Sequence, residues 1–126
     1  MIYGIGTDIV DCARFETMYT RYGGRLAARM LGERELPELR TQTHPARFIA
    51  KRFAAKEAFA KAVGSGLREP VSLRRISIAH DRLGKPVLRF DGLLSDHLAR
   101  LGVTRHHLSI SDERNLVVAF VVLETA

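Results

Sequence analysis

The 126 residues predict an α+β fold: a mainly antiparallel sheet with one long central helix. Three observations carry that prediction. Segments rich in β-formers and helical segments follow one another in the order β, helices, long helix, ββ, α, ββ. The two later β pairs are joined by short polar turns, Asp81-Arg82-Leu83-Gly84-Lys85 and Ser111-Asp112-Glu113-Arg114-Asn115, so neighbouring strands read as hairpins. No internal repeat or Pro/Gly/Ser linker divides the chain, which makes residues 1–126 one domain.

Each element has a local reason. Residues 2–10 form a short strand in which Gly4 and Gly6 permit close approach of another backbone, and Asp11 is suited to cap the helix that follows. From Cys12 to about Arg40 the chain reads as two or three short helices punctuated by Gly23-Gly24, Gly32 and Pro37. The strongest helix signal runs from Pro45, suited to a first turn, to Val63, before Gly64-Ser65-Gly66. Ile76–His80 and Pro86–Phe90 form one hairpin. Asp91–Leu101 forms a helix ending near Gly102, and Leu108–Ile110 with Leu116–Leu123 form a second hairpin.

Composition narrows the function. A chain this short buries roughly two-thirds of the surface its unfolded form exposes, so self-association would help it. The single cysteine, Cys12, excludes an internal disulfide and points to a reducing compartment. The longest apolar run, Leu116–Leu123, is far below the about 20 residues of a membrane-spanning helix, and MIYGIGTDIVD has no basic stretch ahead of Asp8, so a cytoplasmic protein without a membrane partner is expected. The net charge is +6, and residues 12–56 hold ten Lys or Arg against four acids. That segment is either a solvated basic face or a docking surface for an anionic partner.

On the long helix, Ile49, Ala60, Ala46 and Ala50 all lie within about 60° of Phe53, which predicts a core face centred there. Glu57 lies on the same face, about 40° from Phe53, and so places a carboxylate in an apolar stripe. It needs a partner. Lys61, one turn on, offers an ordinary intrahelical ion pair. Asp8, at the end of the first strand, offers a second acid with which Glu57 can hold Mg²⁺, a hard cation that keeps several waters and accepts phosphate oxygens. Arg52, Lys56 and Lys61 would then supply charge for phosphates.

Other motifs are weaker. GIGTDI supplies only the first two glycines of a dinucleotide fingerprint, with Ile9 where the third belongs. The five histidines show no metal-ligand spacing beyond the adjacent His106-His107, which point to opposite faces of a strand. Ser109 and Ser111 share one strand face and suit a phosphate or neighbouring backbone alike.

MIYGIGTDIVD and Arg52–Gly66, RFAAKEAFAKAVGSG, resemble the two signature motifs of the bacterial holo-[acyl-carrier-protein] synthases, small 4′-phosphopantetheinyl transferases, and the resemblance extends over the whole chain. It implies transfer of phosphopantetheine from coenzyme A to a serine of apo acyl carrier protein, releasing adenosine 3′,5′-bisphosphate, in fatty acid biosynthesis. Mg²⁺ is then the cofactor, held by Asp8 and Glu57. Glu57 or a water it orients takes the serine proton, and Lys61 contacts the pyrophosphate. Arg52, Lys56 and the Gly84-Lys85-Pro86 turn match coenzyme A contacts. Arg14, Met18, Arg21 and Arg25 match the face on which the acidic carrier docks. The resemblance also implies a homotrimer with active sites between subunits. In the closing hairpin, Asp112 stands where many members have histidine, and Asp11 where glutamate is common.

Two other functions fit the residues less well. Nucleic-acid binding suits the charge, but the nine aromatics include no tryptophan and form no stacking array, so no nucleic-acid partner is expected. A Mg²⁺-dependent nucleotide hydrolase would use the same carboxylates without an acceptor serine.

Overall fold

The computed structural model describes residues 1–126, in an α+β architecture. A three-stranded antiparallel sheet has the order β1-β5-β4, from β1 (Ile2–Asp11), β4 (Val103–Glu113) and β5 (Leu116–Thr125). A separate antiparallel hairpin pairs β2 (Ile76–His80) with β3 (Pro86–Phe90). The helices are α1 (Cys12–Tyr22), α2 (Gly24–Met30), α3 (Leu36–Leu39), α4 (Pro45–Val63) and α5 (Gly92–Arg100). No helix is long and apolar enough to cross a membrane.

The helix ends follow from the residues that cap them. Asp11 accepts from Ala13 N at 2.9 Å to start α1, and Asp91 accepts from Leu94 N at 3.0 Å to start α5. Pro45 opens α4, and Gly64, at φ 94°, closes it with its N–H on Ala60 O. Pro37, expected as a break, instead opens the single turn of α3.

The helix α4 packs against β1 and β5, and the contact with β1 is closer than side chains allow. A Cβ on Gly6 would stand 2.0 Å from Ala58 O, and one on Gly4 2.0 Å from Ala62 O. The two glycines and the alanines of α4 therefore let strand and helix touch backbone to backbone, as the sequence predicts.

Two expectations are corrected. The strand expected over Leu108–Ile110 runs from Val103 to Glu113, because an edge strand tolerates polar residues on its open side; the turn shrinks to Arg114-Asn115, with Arg114 at φ 53°. The core face of α4 is not centred on Phe53. Phe53 and Glu57 are half-buried and Lys61 is exposed, whereas Arg52 and Lys56 are buried, with exposures of 5% and 0%. The helix is surrounded by the sheet, α1, α2 and β2, so most of its circumference is buried and the 53–57–61 strip is its open side.

Candidate active site

Asp8 lies inside β1 opposite Ala119 rather than at the strand end, three residues before the last. Strand alternation turns it, with Gly6 and Val10, toward α4. Lys61, in the last turn of α4, reaches across to donate to Thr7 O at 2.9 Å and Asp8 Oδ1 at 3.1 Å. The pair that forms is Lys61–Asp8, and Lys61 makes no ion pair with Glu57, its neighbour one turn back. Asp8 is 15% exposed and its Oδ2 is buried without a hydrogen-bond partner.

Glu57, one turn before Lys61 on the same strip, completes the group. Its carboxyl is held above the ordinary glutamate range, first by burial and then by the negative charge of Asp8, against a smaller opposing pull from Lys61. An acceptor left without a donor, beside a second carboxylate that resists ionising, is a site short of positive charge. One divalent cation would satisfy both, and oxygen donors suit Mg²⁺. The structure thus brings Asp8, Glu57 and Lys61 together.

The structure separates Arg52 and Lys56 from that group, and it corrects the expected role of Lys56 as a phosphate contact. Lys56 Nζ spends its three donors on Glu35 Oε1 at 2.6 Å, Met30 O at 2.8 Å and Leu73 O at 2.9 Å. Arg52 stacks 3.7 Å over the Phe48 ring and donates to Glu38 Oε2 at 3.2 Å, with its Nε 3.1 Å from Glu35 Oε2 but out of line for a hydrogen bond. Glu35 is fully buried and also accepts from Gly32 N at 2.9 Å and Ile78 N at 3.0 Å. The triad joins α3, α4 and β2. It pins the loop after α2 and leaves Lys56 no donor for a solvent phosphate. Sequence reasoning missed Glu35, because Glu33-Arg34-Glu35 reads as an exposed charged run and nothing local marks its middle for burial.

Gly84, Lys85 and Pro86 sit at the tip of the β2–β3 hairpin. Asp81 Oδ1 accepts from Leu83 N and Lys85 N, each at 2.9 Å, so the turn is fixed while the Lys85 side chain stays exposed. Those two backbone donors help hold the Asp81 carboxyl below its usual range. Arg14 and Arg21 are exposed on α1, Met18 is half-buried beside them, and Arg25 is exposed on α2, beyond the Gly23 break. Asp112 is held by Arg47 Nη1 at 2.8 Å and Lys51 Nζ at 3.5 Å, so this carboxylate ties β4 to the start of α4.

The outer face of the sheet, opposite α4, carries exposed apolar residues: Ile5, Ile9, Val118 and Phe120 are 59%, 61%, 38% and 44% exposed. Register places Ile9 beside Val118 and Ser109 beside Phe120, so these residues form one patch.

The sequence pattern of the 4′-phosphopantetheinyl transferase superfamily matches residues 4–121, and the chain belongs to that family. Within it, the holo-[acyl-carrier-protein] synthase of Nitrosospira multiformis is 55% identical over 124 residues, covering 98% of this chain and 99% of that protein. The crystal structure of the Neisseria meningitidis holo-[acyl-carrier-protein] synthase is 50% identical and superposes with a TM-score of 0.96 over 99% of this chain and all of that one. The Bacillus anthracis holo-(acyl-carrier-protein) synthase, solved in complex with CoA (3′,5′-ADP), is 37% identical with a TM-score of 0.82, over 100% of this chain and 99% of that one.

Proposed function

We propose that this chain transfers 4′-phosphopantetheine from coenzyme A to a serine of apo acyl carrier protein, in the cytoplasm and with Mg²⁺ as cofactor. The observation that carries the reading is the Asp8–Glu57–Lys61 group: two carboxylates, one with an unpartnered buried oxygen, beside an ammonium. The names of its full-length relatives support the donor and acceptor.

Asp8 and Glu57 would hold the cation, whose chemistry there is neutralisation of pyrophosphate charge. Lys61 uses two of its three donors within the protein, which leaves one for a substrate phosphate oxygen as negative charge builds on the leaving bisphosphate. Glu57, or a water it orients, takes the serine proton as the serine oxygen bonds to phosphorus. The bond to the adenosine bisphosphate breaks in the same exchange. Arg14, Met18, Arg21 and Arg25 offer the acidic carrier three guanidiniums around a flexible apolar side chain.

The apolar outer face of the sheet supports an assembly of copies, which we take to be a homotrimer with active sites between subunits. The Gly84-Lys85-Pro86 turn, fixed by Asp81 with the Lys85 side chain exposed, offers coenzyme A a further contact.

Mass spectrometry of apo acyl carrier protein incubated with this protein, coenzyme A and Mg²⁺ tests the reading. A gain of about 340 Da, the mass of a phosphopantetheinyl group, that disappears with a chelator is expected. Hydrolysis of coenzyme A without carrier modification would instead identify a hydrolase.

A further inference from the structure

A cavity of about 1280 Å³ opens between α1–α2 and the opposing segments around Arg74–Ser77 and Arg89–Gly92. None of Asp8, Glu57 and Lys61 lines it. Its wall carries six arginines against three carboxylates, a net charge of +3. Two of the three acids are already engaged: Glu69 and Asp91 both pair with Arg75, at 2.8 and 2.7 Å. Arg25, Arg29, Arg34, Arg74 and Arg89 have no carboxylate within 4 Å.

Between these guanidiniums lie apolar side chains. Met18, Met30 and Phe90 are half-buried in the cavity, beside the exposed ring of Tyr22. Unpaired arginines select carboxylate or phosphate. The apolar floor decides between them: a free phosphate would leave it wet, whereas an amphipathic acidic helix covers it while presenting carboxylates to both rims. Met18 and Arg25, two of the four proposed docking residues, line the cavity, and Arg14 and Arg21 lie outside it on α1. The cavity is therefore continuous with that docking face.

We infer that the carrier-protein docking surface continues from α1 into this cleft, where Arg29 on α2 and Arg74 and Arg89 on the facing wall grip acidic residues of the carrier. The inference rests on the carrier-protein reading above. It makes recognition two-walled: one wall comes from residues 18–34 and the other from residues 67–92, and a carrier is accepted when its acidic positions span both.

The test is R74E/R89E, two exposed side chains whose loss breaks no ion pair or hydrogen bond in the fold, with R74Q/R89Q as the milder variant should the charge reversal fail to fold. R14A/R21A provides the comparison on α1. Steady-state transfer to apo acyl carrier protein should show a carrier KM raised about tenfold in R74E/R89E, with the coenzyme A KM within about twofold of wild type. The difference should shrink when salt rises from about 0.05 to about 0.5 M. An active wild type whose carrier KM is unmoved by both variants, while R14A/R21A raises it, refutes the extension alone. A rise confined to the coenzyme A KM assigns the cleft to nucleotide, and a changed sedimentation coefficient assigns it to contacts between copies; either overturns the inference. A wild type that modifies no carrier removes the underlying reading as well.

Discussion

Replacing Lys56 by methionine separates a structural lysine from a substrate-binding one. The side chain is fully buried, and the substitution removes three hydrogen bonds at once, to Glu35 Oε1, Met30 O and Leu73 O. Breaking a buried ion pair from one side costs about 3–5 kcal/mol, because the remaining charge is uncompensated. Here Glu35 keeps Arg52 Nε at 3.1 Å and the N–H groups of Gly32 and Ile78, which places its share at the low end. Two carbonyls lose their ammonium donor, and methionine restores only the packing of the stem. The sum is about 4 kcal/mol, which for a domain of this size lowers Tm by about 15 °C. Urea denaturation at fixed protein concentration measures the loss, and coenzyme A KM on the folded fraction measures binding. The expected result is a large drop in midpoint with KM within about twofold of wild type. A variant as stable as wild type with a raised coenzyme A KM would refute the structural assignment and return Lys56 to the phosphate site.

Three further outcomes are expected. Glu57 has a folded-state pKa above its unfolded value, so as pH rises past the ordinary glutamate range the unfolded chain ionises first and the folded state loses stability until Glu57 itself ionises. Metal-free Glu57→Gln should therefore melt above wild type at neutral pH and converge with it in acid, while losing turnover and any rise in Tm that added Mg²⁺ gives wild type; retained metal-dependent turnover would remove Glu57 from the site. Gly6→Ala forces a Cβ to 2.0 Å from Ala58 O, a backbone atom of α4 that cannot rotate away, and should cost about 3 kcal/mol or more and lose transfer activity; calorimetry showing wild-type stability would contradict the close packing of β1 on α4. Phe120→Asp puts a charge in the middle of the exposed apolar face and should leave the chain folded by circular dichroism but smaller by sedimentation, whereas an unchanged sedimentation coefficient would show that the face is not an interface.

Much of the fold was legible because its signals are local. Pro45 and Gly64 mark both ends of α4, Asp11 and Asp91 cap the helices they precede, and the valine-rich apolar run 116–123 places β5. Asp8, Glu57 and Lys61 were legible as a group because a carboxylate on an otherwise apolar helix strip demands a partner, although the reason differed: that strip is the open side of α4, and the Glu57 carboxyl faces Asp8 rather than the core. The extent of β4 was not legible, since Thr104-Arg105-His106-His107 looks like a loop until β5 supplies hydrogen bonds to it.

The amino-acid sequence by itself determined the order of elements, the close approach at Gly4 and Gly6, and the residue types of the Asp8–Glu57 carboxylate pair, because propensity, capping and glycine geometry act within a few residues. Only the tertiary structure decided that Lys56 is spent on Glu35 with Arg52 buried beside them, that Lys61 pairs with Asp8, and that Arg74 and Arg89 face Arg25 and Arg29 across one cleft. A charge is settled by whatever other segments bring within about 4 Å of it, and those segments lie tens of residues away along the chain.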